Sequence, residues 1–171
     1  NLISITDGQI FLDTQLFNQG IRPAVNVSLP VSRVGGAAQT KAIKQVTKAL
    51  RLELAQYNEL LNFAQFGSEL DDVSQATLRR GAMVVELLKQ PRYVTYSFVD
   101  QAIMLFALQQ DFLNNIALGK INDFCDQLIS YVQSVYKDLY DAILTQKELS
   151  DVTQQKLRTV IEEFSKLFVE N

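Results

Sequence analysis

The chain has 171 residues and a mass of 19.3 kDa, with 47% hydrophobic and 20% charged residues, which fits one folded domain with or without a fragment of another. It contains no histidine, which excludes the Ser-His-Asp and Cys-His catalytic arrangements and most zinc sites. Its single cysteine, Cys125, can form neither an intramolecular disulfide nor a thiolate metal cage. The formal net charge of −3 argues against binding nucleic acid. This composition disfavours a self-contained hydrolase of the common kinds, and we expect no metal site.

The first residues indicate the end of a strand. Ile3 and Ile5 alternate with polar residues, and Asp7 and Gly8 then favour a turn. A lone strand leaves backbone donors and acceptors unpaired, so its sheet partners should lie elsewhere. The chain starts without an initiator methionine or a signal sequence. We therefore expect it to be the C-terminal part of a larger protein.

Apolar residues recur at steps of three and four from Ala37 onward, which predicts one long helix extending to about residue 65. The residues on this apolar face are Ile43, Val46, Leu50, Leu54, Tyr57, Leu61 and Ala64. A basic strip follows the first half of the predicted helix and consists of Lys41, Lys44, Lys48 and Arg51. This strip is either a solvated surface or a contact for an acidic partner.

A second helix is predicted after the polar run that includes Gly67. Asp72 and Gln75 have the spacing of a capping box, and Pro91 ends the helix. The two helices should form an antiparallel hairpin with an exposed acidic tip at residues 69–72.

Three further helices are predicted in the last part of the chain. Ser97 and Asp100 form a capping box for the first, a long helix over 121–143 follows Gly119, and Ser150 begins the last. Cys125 lies on the apolar face of the long helix, so we expect it to be buried. Residues after 37 are therefore predicted to form a helical bundle.

Arg33 stands in the short apolar segment Val-Ser-Arg-Val-Gly at 31–35. An arginine in such a segment either pairs with a buried carboxylate or reaches an anion at an interface, and spacing alone favours the first. The following Gly35-Gly36 is not a phosphate-binding loop, because the Gly-Lys-Ser/Thr sequence at the helix start is missing.

Six blocks resemble the α subunits of F-type ATP synthases in sequence, order and spacing. They read ISITDGQI at 3–10, GIRPA at 20–24, VSRVG at 31–35, LELAQY at 52–57, FAQFGS at 63–68 and ELLKQ at 86–90. Residues 97–171 are similar in helix pattern to the C-terminal bundle of that family. The resemblance implies a mainly α chain, in which 1–36 are the last strands of an α/β nucleotide-binding domain and 37–171 a C-terminal helical bundle. The phosphate-binding loop of the family lies upstream and is missing here.

The resemblance also implies site residues. Arg33 matches the arginine finger that the α subunit extends into the catalytic site of the neighbouring β subunit, and Ser4 and Ser32 match residues that line the same interface. The acidic hairpin tip matches the α counterpart of the loop that meets the rotating central stalk.

A second group of residues matches the adenine pocket of the non-catalytic nucleotide, which the α subunit itself holds. These residues are Phe17, Arg22, Pro23 and Gln90. Arg92 departs from the family, which often has a second adenine-contacting glutamine at this position. The implied cofactor is ATP or ADP with Mg in the full subunit, and we expect none to bind tightly to this chain.

The function implied is that of a non-catalytic, regulatory subunit in the rotary head of a proton-driven ATP synthase. Its partners would be the β subunit, the γ subunit of the central stalk and other α subunits in a hetero-hexamer, with no nucleic acid. The complex would lie peripheral to an energy-transducing membrane, and this chain would meet the membrane only indirectly. Without a phosphate loop, the chain alone should be inactive. The alternative is a stand-alone helical interaction module in a divergent motor-like assembly.

Overall fold

The structure is a computed structural model, and it describes residues 5–26, 34–65 and 70–169. Within these ranges the chain is predominantly helical, which confirms the predicted mainly α fold. The helices are α1 (Thr14–Asn18), α2 (Gly35–Ala38), α3 (Lys41–Thr47), α4 (Leu50–Gln65), α5 (Asp72–Leu87), α6 (Phe98–Gln109), α7 (Ile121–Val135), α8 (Lys137–Gln146) and α9 (Asp151–Val169), with a 3-10 turn at Leu118–Lys120. β pairing in these ranges is limited to an isolated antiparallel bridge between Leu12 and Val25.

The chain divides into two compact units. The first unit contains residues 1–39 and 49–94, and the second contains residues 40–48 and 95–171. Helices α1, α2, α4 and α5 therefore belong to the first unit, and α3 and α6–α9 belong to the second. The predicted domain boundary at residue 36 stays a prediction.

The single long helix predicted over residues 37–65 is wrong, because the chain forms α2, α3 and α4 there. Thr40 has extended backbone angles, and its hydroxyl accepts a hydrogen bond from the Ile43 N–H at 3.3 Å. Such a cap starts a new helix whatever the apolar period on either side. A turn at 48–49 then separates α3 from α4, so Arg51 does not share a helix with Lys41 and Lys44 of the basic strip.

Helices α4 and α5 form the predicted antiparallel hairpin in the first unit. Arg80 of α5 pairs with Glu53 of α4 at 3.2 Å, and Gly81 lies directly against the Tyr57 side chain. The apolar residues buried in the hairpin include Leu54, Met83, Val84 and Leu87.

The predicted cap of α5 is displaced by one residue. Asp71, not Asp72, is the N-cap, and its carboxylate accepts the Ser74 N–H at 2.8 Å. Hydrogen bonds from the side chain and the backbone of Ser74 lower the pKa of Asp71. Gln75 does not complete a capping box, because its side chain donates to the Leu70 carbonyl at 3.0 Å. Two adjacent aspartates each offer a carboxylate for the cap, and the backbone angles select Asp71.

Helix α6 is the central helix of the second unit, with apolar residues buried around its whole circumference. The predicted capping box is confirmed. The Asp100 N–H donates to the Ser97 hydroxyl at 3.1 Å, and the Ser97 N–H donates to the Asp100 carboxylate at 2.8 Å. Asp100 also accepts the Tyr140 hydroxyl at 2.9 Å and the Gln133 amide at 3.2 Å, so one buried carboxylate joins α6, α7 and α8.

The helix predicted over residues 121–143 is interrupted at Tyr136, which has φ −118° and ψ 44° and separates α7 from α8. The Tyr136 hydroxyl donates to Glu163 of α9 at 2.6 Å, and Tyr131 donates to the same carboxylate at 2.7 Å. These bonds to another helix hold the bend. Cys125 is fully buried on α7, as predicted.

Helix α3 binds the loop between α8 and α9 through its side chains and backbone. The Gln45 amide donates to the Leu149 carbonyl at 3.0 Å and accepts the Leu149 N–H at 2.9 Å. The Ala42 N–H donates to the Lys147 carbonyl at 2.9 Å, and Lys41 pairs with Glu148 at 2.5 Å. A short helix of seven residues is in this way fixed to the second unit.

Candidate nucleotide-base site

The predicted site residues fall into two groups. Arg33, Ser4 and Ser32, the expected interface residues, lie outside the described ranges, and so does Glu69 of the acidic tip predicted at 69–72. Phe17, Arg22, Pro23 and Gln90 are all described and all belong to the first unit.

The segment from 11 to 26 folds back on itself and places Phe17 near Arg22. Asp13 caps α1, since its carboxylate accepts the Gln15 N–H at 2.7 Å. The chain reverses at Gly20, where φ is +79°, a conformation that glycine adopts without strain. The Asp13 N–H then donates to the Ala24 carbonyl at 2.9 Å and closes the segment. The two predicted residues therefore stand on opposite arms of a tight local loop.

Arg22 contacts both Phe17 and Gln90. The Arg22 guanidinium lies over the Phe17 ring, 4.4 Å from its centroid, which is a cation–π arrangement. The Gln90 N–H donates to the Arg22 carbonyl at 2.8 Å and attaches the end of α5 to this loop. Pro23 follows Arg22 directly. The structure thus brings together residues that are about seventy positions apart in the sequence.

The turn after Gln90 adds a second guanidinium–aromatic pair. The Val94 N–H donates to the Pro91 carbonyl at 3.3 Å, and Arg92 and Tyr93 occupy the two corners of this turn. The Arg92 guanidinium lies 4.5 Å from the centroid of the Tyr93 ring. The Gln90 side-chain amide donates to the Val94 carbonyl and holds the base of the turn closed.

These groups can bind a planar ligand with hydrogen-bonding edges. Neither Arg22 nor Arg92 forms an ion pair with any carboxylate in the described ranges, so both guanidinium charges face the exterior uncompensated. A guanidinium supplies donors and a face for stacking, and a carboxamide supplies both a donor and an acceptor. Among the described residues no cluster of three or more His, Cys, Asp or Glu could hold a metal ion. A stacking face beside hydrogen-bonding groups is what a planar nucleobase requires.

Sequence reasoning missed Tyr93 at this site. Its ring is 85% exposed, and its φ of +68° is rare for a residue with a bulky side chain. Residue type gives no signal for a positive φ at tyrosine. The one indication in the sequence was that Tyr93 follows Pro91 and Arg92, where proline favours a turn.

Comparisons with known proteins agree with the helical fold. The chain matches the family model described as ATP synthase alpha/beta chain, C terminal domain, over residues 39–164. It is 50% identical over 169 residues to ATP synthase subunit alpha of Lawsonia intracellularis, covering 99% of this chain and 33% of the relative. It is 51% identical over 168 residues to ATP synthase subunit alpha of Sulfurovum sp., covering 98% and 33%.

A helical C-terminal domain of an ATP synthase alpha or beta chain is thus the class that the fold and the matches define. The protein belongs to the family of C-terminal domains found in the alpha and beta subunits of ATP synthase. It spans about a third of the length of the curated relatives that it matches. Among the described residues, no helix is long and apolar enough to cross a membrane.

Proposed function

We propose that this chain is the C-terminal part of an ATP synthase α subunit and acts in the catalytic head of that rotary enzyme. The observation that carries the proposal is its 50% identity, over 99% of its length, to a protein named ATP synthase subunit alpha. This likeness extends through both of the residue groups that the sequence indicated as functional. The subunit is non-catalytic and regulatory, and it binds nucleotide without hydrolysing it.

The base of that regulatory nucleotide binds at Phe17, Arg22, Pro23 and Gln90. Their contact around Arg22, with its unpaired guanidinium, supports this assignment. The ligand is ATP or ADP with Mg, and the phosphate and metal contacts come from residues outside this chain. Because most triphosphate affinity comes from such a phosphate loop, this chain alone should bind ATP no tighter than about millimolar, a free energy of ~4 kcal/mol.

Arg33 acts on the neighbouring β subunit. Supplied in trans, its guanidinium stabilises the charge that develops on the transferring phosphoryl group, and Ser4 and Ser32 line the same interface. An arginine supplied by one chain to the site of another makes the chemistry depend on the relative position of the two subunits.

The proposed partners are the β subunit, the γ subunit of the central stalk and further α subunits in a hetero-hexamer. The hairpin of α4 and α5 directs its tip toward the central stalk in this proposal. The exposed carboxylates of Asp71 and Asp72 favour a basic surface on that partner. The assembly lies peripheral to an energy-transducing membrane, either on the cytoplasmic face of a bacterial plasma membrane or on the inner side of a mitochondrial or plastid membrane.

The test is Arg33→Lys in the full-length subunit, assembled with its β and γ partners. Lysine keeps the charge but loses the planar fork that can grip two phosphoryl oxygens. Nucleotide should still bind, and ATPase turnover should fall roughly 10³-fold, the lower end of what arginine fingers supply. Arg51→Lys, the same change at an exposed arginine of α4, is the matched control and should leave turnover unchanged.

Melting temperature measured on the same samples separates catalysis from structure. An Arg33→Lys complex that melts early but turns over normally would assign Arg33 to a structural ion pair. The gene sequence upstream of Asn1 provides an independent check. An upstream phosphate-binding loop supports the subunit, whereas its absence favours a stand-alone helical interaction module.

A further inference from the structure

A groove between α8 and α9 opens on the surface of the second unit. Its cavity has a volume of about 820 Å³, which lies within the range of about 300–1,000 Å³ that is typical of small-ligand sites. Along α8 the lining extends from Lys137 to Gln146, the first and last residues of that helix, so the groove is roughly 15 Å long. None of its lining residues belongs to the candidate nucleotide-base site.

The surface of the groove is mostly apolar, and part of this apolar surface is in contact with solvent. Leu139 and Val160 line the groove and are buried, whereas Val135 is 58% exposed and Val152 is 63% exposed. Removing such apolar surface from water is favourable. The apolar part of a ligand would therefore gain free energy by lying along this groove.

Two lysines give the groove a net positive charge. Lys137 and Lys156 both line it and are exposed, and Asp138 is the one carboxylate among the described residues of the lining. Neither lysine forms an ion pair with a carboxylate in the described ranges. An ammonium group carries three hydrogen-bond donors and no acceptor, so it binds anionic acceptors best. The lining therefore complements a ligand with a negatively charged head group.

We propose that this groove binds a small anionic amphiphile, namely a free carboxylic acid with an alkyl chain of medium length. The alkyl chain lies along the groove over Val135 and Val152, and the ammonium groups of Lys137 and Lys156 bind the carboxylate. A second copy of this chain is a poorer occupant, because a two-fold contact would place one positively charged groove against another. The volume, the apolar surface and the charge of the groove all fit the smaller ligand.

The experiment is an NMR titration of this chain with octanoate, octanol and octyltrimethylammonium, which share an alkyl chain and differ in charge. Octanoate should bind with a Kd of about 1 mM or lower and should shift the backbone amides of residues 135–142 and 152–160. Octanol should bind about threefold more weakly, because it lacks the charge that the lysines attract. The cation should bind more weakly than either.

Variants of exposed lining residues separate the contributions of charge and apolar surface. Lys156→Gln should raise the Kd for octanoate about threefold and leave that for octanol unchanged. Asp138→Asn should lower the Kd for octanoate, because it removes the repelling carboxylate. Val152→Ser should weaken both ligands, because it removes apolar surface. Lys166→Gln is the matched control, since Lys166 is an exposed lysine of α9 outside the lining, and it should change neither Kd.

Three results would overturn the proposal. An octanoate Kd equal to that of octanol, or unaffected by Lys156→Gln, would exclude a site for anions. Absence of octanoate shifts at residues 135–142 and 152–160 would exclude the groove as a ligand site. Sedimentation velocity tests the other occupant, because a dimer that Val152→Ser dissociates would assign the groove to a second copy of the chain.

Discussion

The ring of Tyr57 occupies the space that a side chain at Gly81 would need. A Cβ built on Gly81 would overlap the Cβ, Cγ and Cδ2 atoms of Tyr57, which are the atoms nearest its backbone. Such atoms cannot swing away as the end of a flexible side chain does. Helices α4 and α5 therefore approach each other as closely as they do only because position 81 lacks a side chain.

Gly81→Ala should accordingly destabilise the protein. Alanine favours a helix over glycine by up to about 1 kcal/mol, but overpacking a close helix contact costs about 1–3 kcal/mol. We expect a net loss and a lower melting temperature in thermal unfolding. Gly119→Ala is the control, because a Cβ there meets nothing within 4 Å. Equal melting temperatures for the two variants would show that α4 and α5 can move apart without a loss of stability.

Gln45→Ala should loosen the attachment of α3 to the second unit. The substitution removes both hydrogen bonds to Leu149 and leaves its backbone N–H without a partner, whereas its carbonyl still accepts from the Gln154 side chain at 2.8 Å. We expect a loss of about 1–3 kcal/mol in the free energy of unfolding, measured by urea denaturation at an unchanged slope. Gln155→Ala, an exposed glutamine on α9, should be near neutral. A Gln45 variant as stable as this control would mean that water replaces both bonds.

Glu163→Gln should lower the pKa of Tyr131. The hydrogen bond and negative charge of Glu163 raise the pKa of Tyr131 to about 12, from an ordinary 10.0. Neutral glutamine keeps an acceptor but removes the charge, so the Tyr131 pKa should return toward 10.0. Phenolate absorbance during alkaline titration measures this, and Tyr131→Phe identifies the contribution of Tyr131. A phenol that still ionises near 12 in Glu163→Gln would attribute the shift to burial.

The same cluster makes stability depend on pH at the acid end. The hydroxyls of Tyr136 and Tyr131 lower the pKa of Glu163 below its ordinary 4.5. A carboxylate whose pKa is lower in the folded state than in the unfolded state stabilises the folded state at pH values above its unfolded-state pKa. This contribution is lost as the pH falls through the folded-state pKa. Glu163→Gln should therefore lose less stability than the unmodified protein when the pH is lowered below 4.5. An equal loss of stability with falling pH in Glu163→Gln and in the unmodified protein would contradict this role of Glu163.

Cys125 should react with thiol reagents only when the second unit opens. Burial, aided by the charge of Asp126, raises the pKa of its thiol to about 12, so the reactive thiolate is scarce at neutral pH. Labelling should be slow in buffer and should accelerate with urea in step with unfolding. Labelling at the rate of a small free thiol would indicate that α7 opens locally without global unfolding.

Local sequence signals predicted the elements whose partners lie close in the chain. The capping box of Ser97 and Asp100 spans four residues and was predictable, and so was the burial of Cys125 from its helical period. The breaks at Thr40 and Tyr136 were not. The bend at Tyr136 is held by Glu163, 27 positions away, and α3 is held by a loop 104 positions away. Apolar periodicity continues through both breaks and carries no information about such distant contacts.

At the candidate site, family resemblance supplied Phe17, Arg22, Pro23 and Gln90, and the structure brings three of them into contact. Tyr93 was not predictable, because its position depends on a positive φ that residue type does not specify. The single-residue displacement of the α5 cap, from Asp72 to Asp71, has a similar origin. Two neighbouring aspartates offered the same carboxylate, and backbone geometry decided between them.

Because residues 40–48 belong to the second unit, that unit is discontinuous in the sequence, and the α4–α5 hairpin is an insertion within it. During translation, α3 leaves the ribosome long before Leu149, the residue that Gln45 binds 104 positions later. The two helices of the hairpin can pair as soon as both have emerged, whereas α3 lacks its hydrogen bonds to the loop at 147–149 until that loop has been synthesised. No single cut separates the units either, since a polypeptide starting at residue 95 lacks α3. Nascent chains stalled before residue 149 should therefore be the form most easily recognised by chaperones and proteases.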